Sequence, residues 1–348
     1  MSETSSSNPP PGPALTGDTK PQGRPFAARL PEEIGVVAAL VIMVVFIGVL
    51  RPNFLNPVNW LTILGNTAFE GMIALGMVYL LAVRDIDLSV GWMFNFSAVI
   101  AATLMVNGLD PWLAALGGVA FGALLGLVNA ILAVGLKLPT IIVTLGTFSM
   151  FRGLSLVVNR SRAIVPPDDT GSFFTLATTK LFGLIPVVAV VFVIMAVVLH
   201  VILHRTRFGY RVQAIGSNPE AARLAGIPIP WIRLQVLVLL GAICGFSGAL
   251  FVGFRGAIDP SSGQDFALTV IAAAIIGGTP LSGGSGTVIG AVVGMLIIKV
   301  ISSGIIFFGI DATWSTFVTG AVIVVAVALD QLVKRQRSRR TLRSRDSV

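Results

Sequence analysis

From Ile34 to Leu329 the chain returns repeatedly to apolar runs, most of them long enough to cross a bilayer as one helix, which takes roughly 20 residues. The runs are continuous rather than alternating, so they do not read as the strands of a porin-like barrel. A water-soluble core does not explain them either. Hydrophobic residues make up 55% of the chain and charged residues only 11%, against about 25% charged in soluble domains. Inside a bilayer each backbone polar group must bond within the protein, and continuous runs satisfy that as helices. The expected fold class is therefore an all-α polytopic membrane protein.

Ten segments can be drawn: 34–50, 63–83, 90–106, 111–134, 140–158, 181–204, 236–254, 267–277, 288–304 and 314–329. The net charge of +8 points to the membrane rather than to nucleic acid, because of where the charge sits. Lys334, Arg335, Arg337, Arg339, Arg340, Arg343 and Arg345 follow the last run, while Arg205, Arg207, Arg211, Arg223 and Arg233 share the loop 205–235. Excess Lys and Arg mark cytoplasmic segments, so both the loop and the C-terminal tail are expected inside, with the N-terminus. An even number of spans, about ten, satisfies that arrangement. Loop 159–180, with Arg160, Arg162, Asp168, Asp169 and Lys180, then falls outside. Residues 1–33, rich in Ser, Pro and Gly, read as a disordered cytoplasmic tail, and residues 331–348 as a basic cytoplasmic tail. No short apolar core with a small-residue cleavage site precedes the first run, so no signal peptide is expected. The single Cys244 has no partner for an internal disulfide.

Two interruptions stand out. Arg84-Asp-Ile-Asp-Leu-Ser-Val-Gly91 separates two apolar runs. A carboxylate near the bilayer centre costs roughly 2.5–3.5 kcal/mol on insertion scales, so the break needs a reason. It is a solvated turn, a buried charge pair in which Arg84 neutralises a carboxylate and fixes a broken helix, or pathway lining whose carboxylates accept hydrogen bonds from a ligand. The second interruption is Gly277-Gly-Thr-Pro-Leu-Ser-Gly-Gly-Ser-Gly286, inside a stretch with no charge from Phe266 to Ile298. Gly277, Gly278, Gly283, Gly284 and Gly286, with Pro280, break a helix, and the segment 267–277 is too short to span alone. A re-entrant or broken helix pair is expected. Discontinuous helices of this kind mark the pathways of transporters.

The basic loop holds a well-capped short helix. Asn218 suits the N-cap, Pro219 the first helical position and Glu220 the positive end of the dipole; Ala221, Ala222 and Arg223 continue it, and Gly226 supplies the stop. Such a helix either docks a soluble partner or is a solvated connection. Here the sequence resembles the permease subunits of bacterial ABC importers, through Ala214-Ile-Gly-Ser-Asn-Pro-Glu-Ala-Ala-Arg-Leu-Ala-Gly-Ile227. Asp85-Ile-Asp-Leu-Ser-Val-Gly91, Pro139-Thr-Ile-Ile-Val-Thr-Leu-Gly146 and the 277–286 segment resemble the ribose/xylose/galactose branch, and the likeness runs in order from about Asn53 to Asp330. In many relatives two small residues precede Ile-Asp-Leu-Ser, where this chain has Arg84 and Asp85.

The resemblance implies a type II-like ABC importer permease architecture in the bacterial plasma (inner) membrane, spanning residues 34–330. It implies a second permease copy or a paralogue, two ATPase subunits holding ATP and Mg, and a periplasmic or lipid-anchored sugar-binding protein. Asn218, Pro219, Glu220, Ala221, Ala222, Arg223 and Gly226 would form the coupling helix that enters an ATPase groove. A monosaccharide would pass by alternating access. Asn66, Glu70, Asp85, Asp87, Ser89 and Asn95, with Trp92, are candidates for the route; the alternative for each is a bond between helices.

Other features point away from chemistry on this chain. The glycines of 277–286 do not make a phosphate cradle, because no Gly-Lys dipeptide occurs anywhere in the sequence. His200 and His204 are four apart but lack the Glu of a zinc-protease motif, and read as interfacial residues rather than metal ligands. Arg152 and Lys299 are the other charges in or near spans, Arg152 within snorkelling reach of an interface. Thr144, Thr147 and Ser149 satisfy helix backbone. Neither a cofactor nor a metal is expected on the chain itself. Two rivals remain at this point: a branched-chain amino acid permease, and a gradient-driven transporter using Glu70, Asp85 and Asp87 as proton sites. An intramembrane enzyme lacks a recognisable nucleophile.

Overall fold

The computed structural model describes residues 32–167 and 171–311, with scattered positions from 313 to 328. The expected tails lie outside the described residues, apart from residues 32 and 33, as do Asp168, Asp169 and much of the last predicted span at 314–329. In chain order the helices are α1 (Glu32–Leu50), α2 (Pro57–Ala82), α3 (Val90–Val106), α4 (Pro111–Ala130, continued by a π-turn over Ile131–Gly135), α5 (Thr140–Val158) and α6 (Ser172–Thr178). A two-stranded antiparallel pair, β1 (Lys180–Leu181) and β2 (Ile185–Pro186), precedes α7 (Val187–Arg205), α8 (Arg207–Ser217), α9 (Pro219–Leu224), α10 (Ile229–Arg255), α11 (Phe266–Ile276) and α12 (Val288–Phe307).

Six of these, α2, α4 with its π-turn, α5, α7, α10 and α12, are long and apolar enough to cross a membrane, and α1, α3 and α11 are shorter apolar helices. The chain is thus a multi-pass membrane protein. The predicted segment 181–204 begins too early, because residues 180–186 form the β pair, whose turn carries Phe182 and Gly183 at positive φ. Helix α2 begins earlier than predicted. Asn56 accepts a hydrogen bond from the Val58 amide and Pro57 opens the first turn, a start signal that hydropathy does not register.

Helix α2 is the hub. Every residue from Thr67 to Ala82 is buried, as expected of a helix that is apolar all round. The Tyr79 hydroxyl donates to the Leu199 carbonyl of α7, and the Ser247 hydroxyl of α10 donates to the Phe69 carbonyl at 2.9 Å. Helices α4 and α10 meet backbone to backbone. A methyl on Gly122 would lie 2.4 Å from the Gly241 carbonyl oxygen, and one on Gly126 2.4 Å from that of Leu237. Without a hydrophobic drive between helices in lipid, small residues that permit this approach supply the packing energy. Helix α11, with 11 residues, reaches about 16 Å, half the hydrocarbon thickness, and its following turn packs Gly277 directly on Gly290 of α12. Between α11 and α12 the glycine-rich stretch 277–287 is non-helical.

Candidate functional site

The two interruptions, far apart in sequence, touch each other. Helix α2 ends in a Schellman motif: the Arg84 amide donates to the Leu81 carbonyl at 2.9 Å and the Asp85 amide to that of Leu80 at 3.0 Å. Arg84 occupies the left-handed position with φ +68°, where glycine is usual, at a cost on the order of 1 kcal/mol. Of the carbonyls left open at the end of α2, that of Ala82 accepts from the Gly284 amide at 3.0 Å. Gly283 and Gly284, with φ of +72° and +88°, supply a backbone shape that side chains resist.

Among the described residues Arg84 pairs with no carboxylate, which corrects the pairing considered from sequence. Its Nε donates to the Gly216 carbonyl at 2.6 Å and its Nη2 to the Ser217 carbonyl at 3.1 Å, both at the end of α8. Asp85 instead binds Arg233 of α10 through a two-point fork, at 2.7 and 2.9 Å, and accepts a third bond from the Thr140 hydroxyl at 2.9 Å. Asp87 is fully buried and held by neutral donors. It accepts from the Ser89 amide at 2.7 Å, the Ser89 hydroxyl at 2.6 Å and the Asn129 amide at 3.0 Å. The first of these closes an Asx-turn that starts α3. The solvated-turn reading therefore fails for both carboxylates.

Helix α9 stands on this cluster. Asn218 caps it, accepting from the Glu220 and Ala221 amides at 3.1 Å each, and Gly226 ends it at φ +76°. Glu220, Ala221, Arg223 and Leu224 are exposed, while Ala222 is buried against the bundle. The stretch 207–217, expected as plain loop, is α8. Its apolar Val212 and Ile215 are buried and Thr206 caps it, accepting from the Gly209 amide at 3.3 Å.

A cavity of about 470 Å³ opens toward the opposite end of the bundle. Glu70 on its wall lies roughly 18 Å along α2 from Ala82, at 1.5 Å per residue. Here Glu70 pairs with Lys299 of α12, and Arg255, the last residue of α10, donates to the Asn66 side-chain oxygen at 2.9 Å. Phe69, Phe251 and Phe266 add apolar faces. A neighbouring hollow of about 360 Å³ shares Glu70 and Lys299 and reaches Gln264 and Asp265. The candidate route residues therefore divide. Asn66 and Glu70 line the cavity, whereas Asp85, Asp87 and Ser89 lie in the cluster beneath α9 and border neither hollow. Asn95 ties helices together, accepting from the Ser155 hydroxyl at 2.7 Å and donating to the Asp259 carbonyl at 3.1 Å. Trp92 is buried, edge-on to Phe148, with the Arg152 guanidinium 5.5 Å from its ring centre. His200 and His204 lie ring to ring, 4.4 Å apart.

Sequence reasoning passed over Asn129 and Arg233. The first was visible as a lone amide in an apolar run; the second was visible only as loop charge.

Residues 59–327 match a family model described as the permease component of branched-chain amino acid transport systems. The chain is 36% identical over 300 residues to the ribose import permease protein RbsC of Bacillus subtilis (strain 168), covering 86% of this chain and 93% of that one. It is 33% identical to the D-allose transport system permease protein AlsC of Escherichia coli (strain K12), over 87% and 93% of the two chains. The galactose/methyl galactoside import permease protein MglC of the same strain is 32% identical, over 86% and 94%. Among solved structures, an inward-facing chain of a metal-chelate type ABC transporter aligns with 85% of this chain and 98% of its own length at 13% identity, with a TM-score of 0.49. With a multi-pass helical fold and a family match from residue 59 to residue 327, the chain belongs to this family of transport-system permease components.

Proposed function

We propose that the chain is the membrane-spanning permease subunit of an ATP-driven, binding-protein-dependent importer of a monosaccharide. The relatives named for ribose, allose and galactose support a sugar over a branched-chain amino acid. The observation that carries the choice is the cavity wall. Asn66, Glu70, Arg255 and Lys299 offer hydrogen-bond donors and acceptors between phenylalanine faces. That surface combines several hydrogen-bond donors and acceptors with aromatic faces, the combination that the hydroxyls and ring carbons of a small sugar can use.

In this reading ATP and Mg are held by a partner ATPase, and the chain itself makes and breaks no bond. Residues Asn218 to Gly226 enter a groove of that partner on the cytoplasmic side, where Arg205, Arg207, Arg211 and Arg223 also lie. A sugar-binding protein delivers the substrate to the opposite end, into the cavity, and a second permease copy or a paralogue completes the route. Alternating access follows when ATP binding in the partner moves α9 and the helices reorganise around the cavity.

Reconstitution in liposomes with the ATPase and binding protein tests this. Labelled ribose should enter only while ATP is hydrolysed, and Glu220→Arg or Gly226→Val should lower sugar moved per ATP by about tenfold, a coupling loss of ordinary size. Uptake that persists without hydrolysis would mean a gradient-driven carrier. Transport of leucine in place of sugar would restore the amino acid reading.

A further inference from the structure

Helix α9 is held on both sides by two consecutive residues. On its entry side, the Arg84 guanidinium grips the Gly216 and Ser217 carbonyls, immediately before the Asn218 cap. On its exit side, Asp85 grips Arg233, the fifth residue of α10. The glycine turn closes the third side, where the Ser217 hydroxyl donates to the Gly284 carbonyl at 3.2 Å and the Gly284 amide to the Ala82 carbonyl at 3.0 Å. No slack remains at the junction. A methyl on Gly216 would stand 1.7 Å from the Ala82 carbonyl oxygen and 2.3 Å from the Gly284 nitrogen. A left-handed arginine at position 84, where glycine would fit without strain, also needs a role.

We infer that Arg84 and Asp85 are positioning residues that clasp α9 to both broken segments, so that α9, the 84–89 join and the 277–286 turn move as one body. A displacement of α9 is then delivered directly to the ends of α2, α3, α11 and α12, two of which carry the Glu70–Lys299 cavity wall. Thr140 brings α5 into the same clasp through its bonds to Asp85 and Arg233. This rests on the proposed docking of α9 into an ATPase.

The discriminating variant is Arg84→Gly in the assembled transporter. Glycine accepts φ +68°, and the relieved strain offsets much of the two lost bonds, so thermal stability should change little, yet the grip on α8 is lost and sugar moved per ATP should drop about tenfold. Arg233→Gln should lower the same ratio, and the exchanged pair Asp85→Arg with Arg233→Asp should recover part of it. Wild-type ratios in Arg84→Gly and Arg233→Gln overturn the clasp. If Glu220→Arg and Gly226→Val uncouple in the same assay, the docking reading survives that result; if they do not, the docking reading itself fails. Should Arg233→Gln fail to assemble, spin labels at Leu224→Cys and Ser285→Cys, both exposed positions, give an independent answer. One unchanged distance with and without trapped nucleotide supports a single body, and a shift between the states overturns it.

Discussion

Asp85 and Asp87 are two residues apart, and the fold gives them different partners. Asp85 meets a guanidinium, while Asp87 is surrounded by hydroxyl and amide donors, with no cation bonded to it among the described residues. Removing the Asp87 side chain strands the Ser89 amide and the Ser89 hydroxyl in a buried site and leaves the Asn129 amide only its bond to the Ser89 oxygen. Leaving buried donors unmade costs about 1–3 kcal/mol each, before relaxation. Asp87→Ala should therefore lower the unfolding temperature in detergent clearly, whereas Asp87→Asn, which retains an oxygen for the Ser89 donors, should lose less. Equal losses would show that the carboxylate's bonds do not hold the join. That the two acidic residues needed an explanation was legible from their place between apolar runs. Their partners were not, because Arg233 is 148 residues from Asp85 and Asn129 is 42 from Asp87. Local spacing carries no information about such pairs; the packing of every intervening helix decides them.

At the scale of elements, legibility followed the strength of the local stop signals. The predicted bounds of α3 and α5 coincide with the observed Val90–Val106 and Thr140–Val158, where Asn107-Gly108 closes one and Pro139 opens the other. Helix α8 was missed because its two buried apolar positions, Val212 and Ile215, are too few to register among arginines. The contact of α4 with α10 was also hidden: Gly118, Gly122 and Gly126 recur every four residues, yet nothing in that spacing names Gly241 and Gly245 as the opposite face. The contact makes a clear prediction. Gly122→Ala places a methyl against the Gly241 carbonyl, and overpacking a tight interface costs about 1–3 kcal/mol, so the unfolding temperature should fall. Gly35→Ala, on α1 with open space around it, should leave stability unchanged or slightly higher, as alanine favours a helix. A Gly122 variant as stable as the parent would show that the helices can separate without loss.

Over the whole molecule, the cluster beneath α9 and the cavity at Glu70 lie at different depths of one helix, α2, which is buried from Thr67 to Ala82. A rigid hub of that kind links the two without any contact between them. Its direction across the membrane follows from charge. Arg205, Arg207, Arg211, Arg223 and Arg233 gather in the single stretch 205–233 at the α9 end, while Arg51, Arg160, Arg162, Lys180 and Arg255 are spread over three joins at the other. Lys and Arg near short loops set orientation, so the α9 end should face the cytoplasm. Single cysteines test this directly, because the native Cys244 is buried. Leu224→Cys on α9 should react with a membrane-impermeant maleimide only in inverted vesicles. Phe182→Cys, in the β1–β2 turn where the side chain is 93% exposed, should react only in intact cells stripped of their outer layers. The reverse pattern would put α9 outside, out of reach of any cytoplasmic ATPase, and with it would fall the coupling role of Asn218 to Gly226.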